Sequence, residues 1–351
     1  MRVNLGEVSM SNFNGIKLPD PTPEVAHAIE VCTELPLLDV GDYLAGKDGA
    51  LEQLAANVRA IQSSLGFSAI VNHGVDQSFI DEAEQQVKEA FHLPQDELQK
   101  YFHGEHIQGY WPANSVTNVR PGYEAEKEWK STLAGWAVLR DREPDDPKVV
   151  KGIKHRAMNK WPDPKLLPDF KAKINRYHNA MVDLAFKLLK VYSVALGQSP
   201  DFLDEDFADS EWYGRLNYYA GSPNAEGELA NTAHSDHSFI TLLPMSPIPG
   251  LQVRTPRMDW IDVECVPGAI IVNGGEWLNQ LSNGRFMATP HRVTEPPTER
   301  VSMPLFFDPG DEAFNDPLPG LAAEGEERKY PRKNFYEHFA GYIDAYTTPK
   351  K

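Results

Sequence analysis

Apolar positions along the chain follow two periods. From Leu51, the residues Leu54, Ala55, Val58 and Ile61 recur at helical spacing and Gly66 closes the run, which predicts an amphipathic helix. FSAIV (67–71) predicts a short strand, NHGV a turn, and residues 78–91 a second helix with Phe79, Ala83, Val87, Ala90 and Phe91 on one face. A longer helix is predicted over 168–196, where Ile174, Tyr177, Met181, Leu184, Leu188 and Tyr192 form one buried stripe and Gly197 is the stop. Residues 1–34, with LPDPTPEV, have no sustained period and predict a segment wrapping the surface before a first strand in ELPLLDV. Residues 101–165 contain Trp111, Trp129, Trp136 and Trp161 but only weak periodicity, and read as loops and short strands.

After Asp209 the pattern changes to short runs rich in β-branched and aromatic residues, separated by Gly, Pro and Asn: YGRLNYY, FITLL, GLQV, WIDV, AIIV, HRVT and VSMPLFF. That spacing predicts a sandwich or barrel, so the fold class is mainly β with flanking helices. Phe335, Phe339, Tyr342 and Tyr346 mark a last amphipathic helix. There is no internal repeat, and the only biased tract is the acidic AAEGEER at 322–328.

Composition narrows the functional classes. The 351 residues are 41% hydrophobic and 10% aromatic, enough for a large core. With 34 basic against 51 acidic residues the net charge is −17, which disfavours nucleic acid and anionic membrane as partners, because polyanions are bound by clustered Lys and Arg. No apolar run reaches the ~20 residues of a membrane helix, and MRVNLGEVSM lacks the layout of a secretion signal. Met10 is a possible alternative start. Cys32 and Cys265 lie far apart with no CxxC spacing, which excludes a thiolate zinc site and fits a reducing cytoplasm. The expected protein is cytoplasmic, a monomer or weak oligomer, and acts on a small molecule.

Candidate chemistry centres on NTAHSDHSFITLL (231–243), which sets His234, Asp236 and His237 before a buried strand. Such burial needs compensation, and a metal is the obvious source. With 11 His and 24 Asp, one His-x-Asp triplet is expected near chance, so context must carry the reading. If 234–236 enters a strand, the period of two points His234 and Asp236 to one face, with Ser235 opposite. His291, in TPHRVT on a predicted strand, is the best third ligand; alternation sends the rival His237 away. Two imidazoles and one carboxylate leave metal positions open, as in non-haem Fe(II) oxygenases, whereas a structural zinc site would be closed. Arg300 and Ser302 share a strand face, and a guanidinium beside a hydroxyl suits a carboxylate. Asn217 and Tyr219, on one face of RLNYY, could complete that socket.

GFSAIVNHGV, FHLPQDEL, NKWP, NYY, H-x-D, TLL, GLQV, VPGAIIVNGGEWL, SNGRF, PHRV and R-x-S follow one another in an order and spacing that resembles the isopenicillin N synthase-like branch of the iron and 2-oxoglutarate-dependent dioxygenases. The resemblance runs over roughly residues 35–345. It implies a distorted double-stranded β-helix, or jelly roll, with Fe(II) on His234, Asp236 and His291, and the far carboxylate of 2-oxoglutarate on Arg300 and Ser302 with Tyr219, Asn217 lying near it. It also implies use of O2, release of succinate and CO2, and oxidation, by default hydroxylation, of a small organic molecule. The implied organisation is one catalytic domain over 1–351: a mostly helical region at 35–200, the jelly roll at 209–310, and a closing loop and helix at 311–351. Where the family usually has Thr and often Gly, this chain has Ser235 and Ser238, and Asn273-Gly274-Gly275-Glu276 stands for N-x-GD. Two alternatives stay open: an iron oxidase of the isopenicillin N synthase or aminocyclopropane carboxylate oxidase kind that needs no 2-oxoglutarate, and a metal-binding protein without turnover.

Other residues have plainer readings. His73 in the NHGV turn is expected to make a structural hydrogen bond, and His103 and His106 to be solvated loop residues. Tyr110, Trp111 and Phe307 are candidates for lining a substrate pocket, against the alternative of plain core.

Overall fold

The computed structural model describes residues 16–113, 131–225, 227–322 and 326–347. Trp129, Met10, residues 323–325 of the acidic tract and the side chain of Tyr346 lie outside the described residues. The predicted helices occur at Ala50–Gln62, Gln77–Phe91, Phe170–Ala195 and Phe335–Thr347. The six stripe residues of the long helix are all buried, and this helix packs on both earlier ones.

The strands, in chain order, are β1 (Leu37–Asp39), β2 (Phe67–Val71), β3 (Gly109–Trp111), β4 (Ala134–Leu139), β5 (Glu211–Tyr219), β6 (Leu229–His234), β7 (Ile240–Pro244), β8 (Leu251–Arg254), β9 (Trp260–Asp262), β10 (Ile270–Gly274), β11 (His291–Thr294), β12 (Arg300–Ser302) and β13 (Leu305–Asp308). They form a larger sheet in the order β1-β2-β10-β7-β13-β5-β4-β3, with β12 also on β5, and a smaller sheet β6-β11-β8-β9. Among the strand ladders of the described residues, β1 and β2 pair in parallel; the remaining ladders, β2 with β10 and β6 with β11 among them, are antiparallel. The two layers are the double-stranded β-helix that the resemblance implies.

Alternation along the larger sheet sorts its side chains. Ile270, Val272, Ile240, Leu242, Leu305 and Phe307 join the core on the helix side. Phe67, Ile271, Leu243 and Tyr219 face the smaller sheet, where they pack with Leu251, Val253 and Val293. The polar site opens from this second face.

One expectation needs correction. Residues 1–34 include a helix at Pro23–Val31, begun by a proline at its first turn. It buries only Val25 and Ala28, too little apolar surface for a period to register. Residues 35–200 carry, beside their helices, β1 and β2 at the predicted ELPLLDV and FSAIV strands and β3 and β4 among the short strands expected in 101–165, all in the larger sheet.

A buried charge network ties the 142–156 segment to β5 and to the segment after β13. The Arg156 guanidinium, 1% exposed, donates to Asp311 at 2.6 Å from Nη2, and Lys148 Nζ lies 2.7 Å from the same carboxylate. Removing one member of a buried pair strands the other charge. Asp311→Ala is therefore expected to destabilise the protein by about 3 kcal/mol, read as a lower urea midpoint at unchanged slope; an unaltered midpoint would show the network to be dispensable.

Candidate metal centre and cavity

His234 and His291 stand directly opposite each other across the β6–β11 ladder, with ring centroids 4.2 Å apart. The Nδ1 of His234 lies 2.7 Å from the Thr232 carbonyl, and that of His291 lies 3.2 Å from the Thr289 carbonyl. A carbonyl only accepts, so each Nδ1 carries the proton and each Nε2 keeps a lone pair. Asp236 does not extend the strand as the alternation reading supposed. β6 ends at His234, and Asp236 lies in the connection that crosses to β7 on the other sheet.

That connection is held by backbone bonds. The N–H of Glu276 donates to the Asp236 carbonyl at 2.8 Å, and that of Trp277 to His237 O at 3.2 Å. Gly275 permits the approach, since a Cβ there would sit 2.2 Å from the Ser238 carbonyl oxygen. The carboxylate is fixed as well. Its Oδ2 accepts from Thr241 Oγ1 at 2.7 Å and from Asn273 Nδ2 at 2.9 Å. Because the Thr241 hydroxyl is thus spent, Ser238, 2.9 Å away, donates to it, so the departure at 238 extends the network.

The free Oδ1 faces both imidazoles, 3.9 Å from His234 Nε2 and 3.5 Å from His291 Nε2. The donor atoms of the three residues lie within 4.8 Å of one another, and they form the one such His/Cys/Asp/Glu group among the described residues. Burial alone would raise the Asp236 pKa, but His291, His234 and the bonds from Asn273 and Thr241 outweigh it and hold it down to about 2. An ionised carboxylate and two imidazole lone pairs, separated by more than hydrogen-bond length, fit a divalent cation between them. His237 points elsewhere: its Nε2 is 3.3 Å from Asp308 Oδ2, and it is fully buried against the C-terminal helix.

Arg300, Ser302, Tyr219 and Asn217 are brought together. Arg300 pairs across the ladder with Tyr219, and Ser302 with Asn217, and all four line the cavity that holds the triad. Arg300 is 4% exposed, lies over the Tyr219 ring at 5.2 Å, and donates from Nε to Ile248 O at 3.2 Å. Its buried Nη1 has no hydrogen-bond partner among the described residues. A buried guanidinium with an unused donor in a cavity has the chemistry to receive a carboxylate.

The three pocket candidates separate. Trp111 lines the cavity. Tyr110 turns to the other face and bonds to Gln95 at 3.2 Å. Phe307 is core, packed against Phe207 and Phe186; alternation gives the cavity position to Phe306 instead. His73 makes its structural bond, to Gly268 O at 2.8 Å. His103 and His106 are half-buried rather than solvated: His103 stacks on Trp111 at 3.7 Å, and His106 Nδ1 accepts from the backbone N–H of His155. Sequence reasoning missed Arg215, although RLNYY carries it two residues before Asn217.

A double-stranded β-helix with an inward His-Asp-His set defines a non-haem iron oxygenase. The wider comparison agrees. Residues 214–309 match the model of the 2OG-Fe(II) oxygenase superfamily, and residues 35–164 that of the non-haem dioxygenase in morphine synthesis N-terminal region. Jasmonate-induced oxygenase 3 of Arabidopsis thaliana is 30% identical over 334 residues, 93% of this chain and 85% of that one. Flavonol synthase 1 of Crocosmia x crocosmiiflora is 29% identical over 316 residues, 87% of this chain and 85% of that one. The crystal structure of JOX2 in complex with 2OG, Fe and JA superposes with a TM-score of 0.71 at 25% identity, covering 96% of this chain and 97% of that one.

The chain belongs to the 2OG-Fe(II) oxygenase superfamily. It is an Fe(II)- and 2-oxoglutarate-dependent oxygenase, and this reading stands above the oxidase that needs no 2-oxoglutarate. No helix among the described residues is long and apolar enough to cross a membrane.

Proposed function

We propose that His234, Asp236 and His291 hold the ferrous ion and that Arg300, Ser302, Tyr219 and Asn217 receive 2-oxoglutarate. The observation that carries this is the pairing of two roles in one cavity: three metal-ligating side chains with donor atoms within 4.8 Å of one another, and a buried guanidinium with a spare donor. Bound there, iron supplies the activation of dioxygen that accompanies conversion of 2-oxoglutarate to succinate and CO2. The chain's own residues do the positioning. Thr232 and Thr289 fix the imidazole tautomers, Thr241 and Asn273 fix which carboxylate oxygen faces inward, and Arg300 with Ser302 orients the diacid by its far end. Phe67, edge-on to His291 at 5.2 Å, Leu251 and Val293 keep water from the site.

The organic substrate is a small molecule, and hydroxylation is the proposed outcome, since it asks only that a C–H bond be held against the site. The net charge of −17 argues against nucleic acid and anionic membrane as partners. We further place the enzyme in the cytoplasm, as one catalytic unit over 1–351 that is a monomer or weak oligomer.

The test is succinate release from 2-oxoglutarate with added Fe(II), in wild type and in variants of the second layer. Asn273→Ala removes one of the two bonds to Asp236 Oδ2 and is expected to weaken iron binding about 10- to 100-fold, measured as the Fe(II) concentration giving half-maximal succinate release. An unchanged iron requirement would contradict the assigned orientation of Asp236.

A further inference from the structure

Asp236 lies in a connection, so no strand ladder holds its backbone. Buried peptide carbonyls need partners wherever the chain runs, and here three consecutive ones are met from outside the connection. The Asp236 carbonyl accepts the Glu276 N–H, and the His237 carbonyl accepts that of Trp277. The C-terminal helix, Phe335–Thr347, supplies the rest. Nε2 of His338 lies 2.9 Å from the His237 carbonyl oxygen, and the Tyr342 hydroxyl donates to the Ser235 carbonyl at 3.3 Å. His338 and Tyr342 are four residues apart, so one helix face carries both. That face bonds to the two residues flanking the metal-site carboxylate.

The donor of His338 matters more than its bulk. The ring is 2% exposed, packed between Trp277 and Phe335 at 5.4 and 6.1 Å. A carbonyl only accepts, so Nε2 carries the proton, and burial pushes the pKa down to about 3, which keeps the ring neutral. Its Nδ1 is buried with no hydrogen-bond partner among the described residues. An aliphatic side chain would fill this space without stranding a nitrogen. What the histidine adds is the bond to residue 237.

We infer that His338 and Tyr342 are positioning residues: through the carbonyls of His237 and Ser235 they fix the peptide run 235–237 and so aim the Asp236 carboxylate at His234 and His291. For one ion to engage all three side chains, Asp236 Oδ1 must stay between the two Nε2 atoms, now 3.9 and 3.5 Å from it. Rotation of either flanking peptide would swing that oxygen away, and the bonds from Thr241 and Asn273 hold only the other one. The same helix lends Tyr342 and Ile343 to the cavity wall. This rests on the iron assignment above, and the test separates the two.

Two measurements on the full chain suffice: anaerobic calorimetry with Fe(II), and amide hydrogen exchange of the metal-free protein. His338→Leu is expected to weaken Fe(II) binding about three- to tenfold and Tyr342→Phe about threefold, as for loss of one neutral hydrogen bond. His338→Gln, which keeps an N–H donor, should recover most of the loss. In metal-free His338→Leu the amides of Glu276 and Trp277, whose acceptors are residues 236 and 237, should exchange about three- to tenfold faster, with those of the helix at Phe170–Ala195 unchanged. Lys154→Ala breaks an exposed ion pair of the same helix, Lys154 with Asp344 at 2.5 Å, and should alter neither reading. Wild-type iron affinity in a variant carrying both His338→Leu and Tyr342→Phe overturns the inference. So does an equal loss in His338→Gln and His338→Leu, an equal effect of Lys154→Ala, or faster exchange throughout the long helix, each of which reduces these contacts to general packing. Wild type that takes up no Fe(II), with the exchange pattern as expected, would overturn the iron assignment alone.

Discussion

Asp236→Ala is expected to lower 2-oxoglutarate-dependent turnover by at least about 1000-fold, because a metal-centred charge stabilisation of several kcal/mol disappears with its anionic ligand. Among the described residues Asp236 supplies the one carboxylate at the centre, and its Oδ1 faces both Nε2 atoms. Loss of the side chain also leaves Thr241 and Asn273 without the acceptor they share, so part of the damage could be to folding. His291→Ala separates the two effects: its Nδ1 holds a single backbone carbonyl, and its loss disturbs little else while removing a donor. Both variants should lose stoichiometric iron and succinate formation, with His291→Ala retaining the far-ultraviolet circular dichroism of wild type. Wild-type iron content in either variant would mean that the cluster is only a hydrogen-bonded polar core.

Arg300→Gln is expected to raise the half-saturating 2-oxoglutarate concentration by about 30-fold or more, since truncating one side of a buried charged pair costs about 2–5 kcal/mol. Turnover at saturating cosubstrate should fall less than turnover over half-saturation, as when ground-state binding is lost. Ser302→Ala, which removes a neutral hydroxyl, should cost only about fivefold. Steady-state succinate release over a 2-oxoglutarate series measures both. Equal effects of the two substitutions would deny the guanidinium its assigned role.

Much of this site was legible because strand alternation is a local rule. Asn217 with Tyr219, and Arg300 with Ser302, share faces by sequence spacing, and the β5–β12 register then sets them opposite one another. The same rule misled at Asp236, where the strand had already ended and the chain was crossing between sheets; what aims that carboxylate is the close approach of Gly275 and the bonds from the backbone of Glu276 and Trp277, a long-range contact that no period encodes. Phe307 and Phe306 illustrate the remaining ambiguity. Alternation says that they point opposite ways, but which of the two faces the cavity depends on which side of the sheet the helices cover. Arg215 was readable on the same grounds as Asn217, two residues before it on the same face of β5.

The central claim is that two imidazoles and one aspartate hold an iron with room for a keto acid oriented by Arg300. The direct measurement is an anaerobic titration, Fe(II) first and 2-oxoglutarate second, followed by visible absorption. Wild type should develop a charge-transfer band only when both are present, saturating at one iron per chain. His291→Ala should show none, and Arg300→Gln should reach the band only at higher 2-oxoglutarate. A full-strength band in His291→Ala, or iron bound by wild type with no response to the keto acid, would contradict the account.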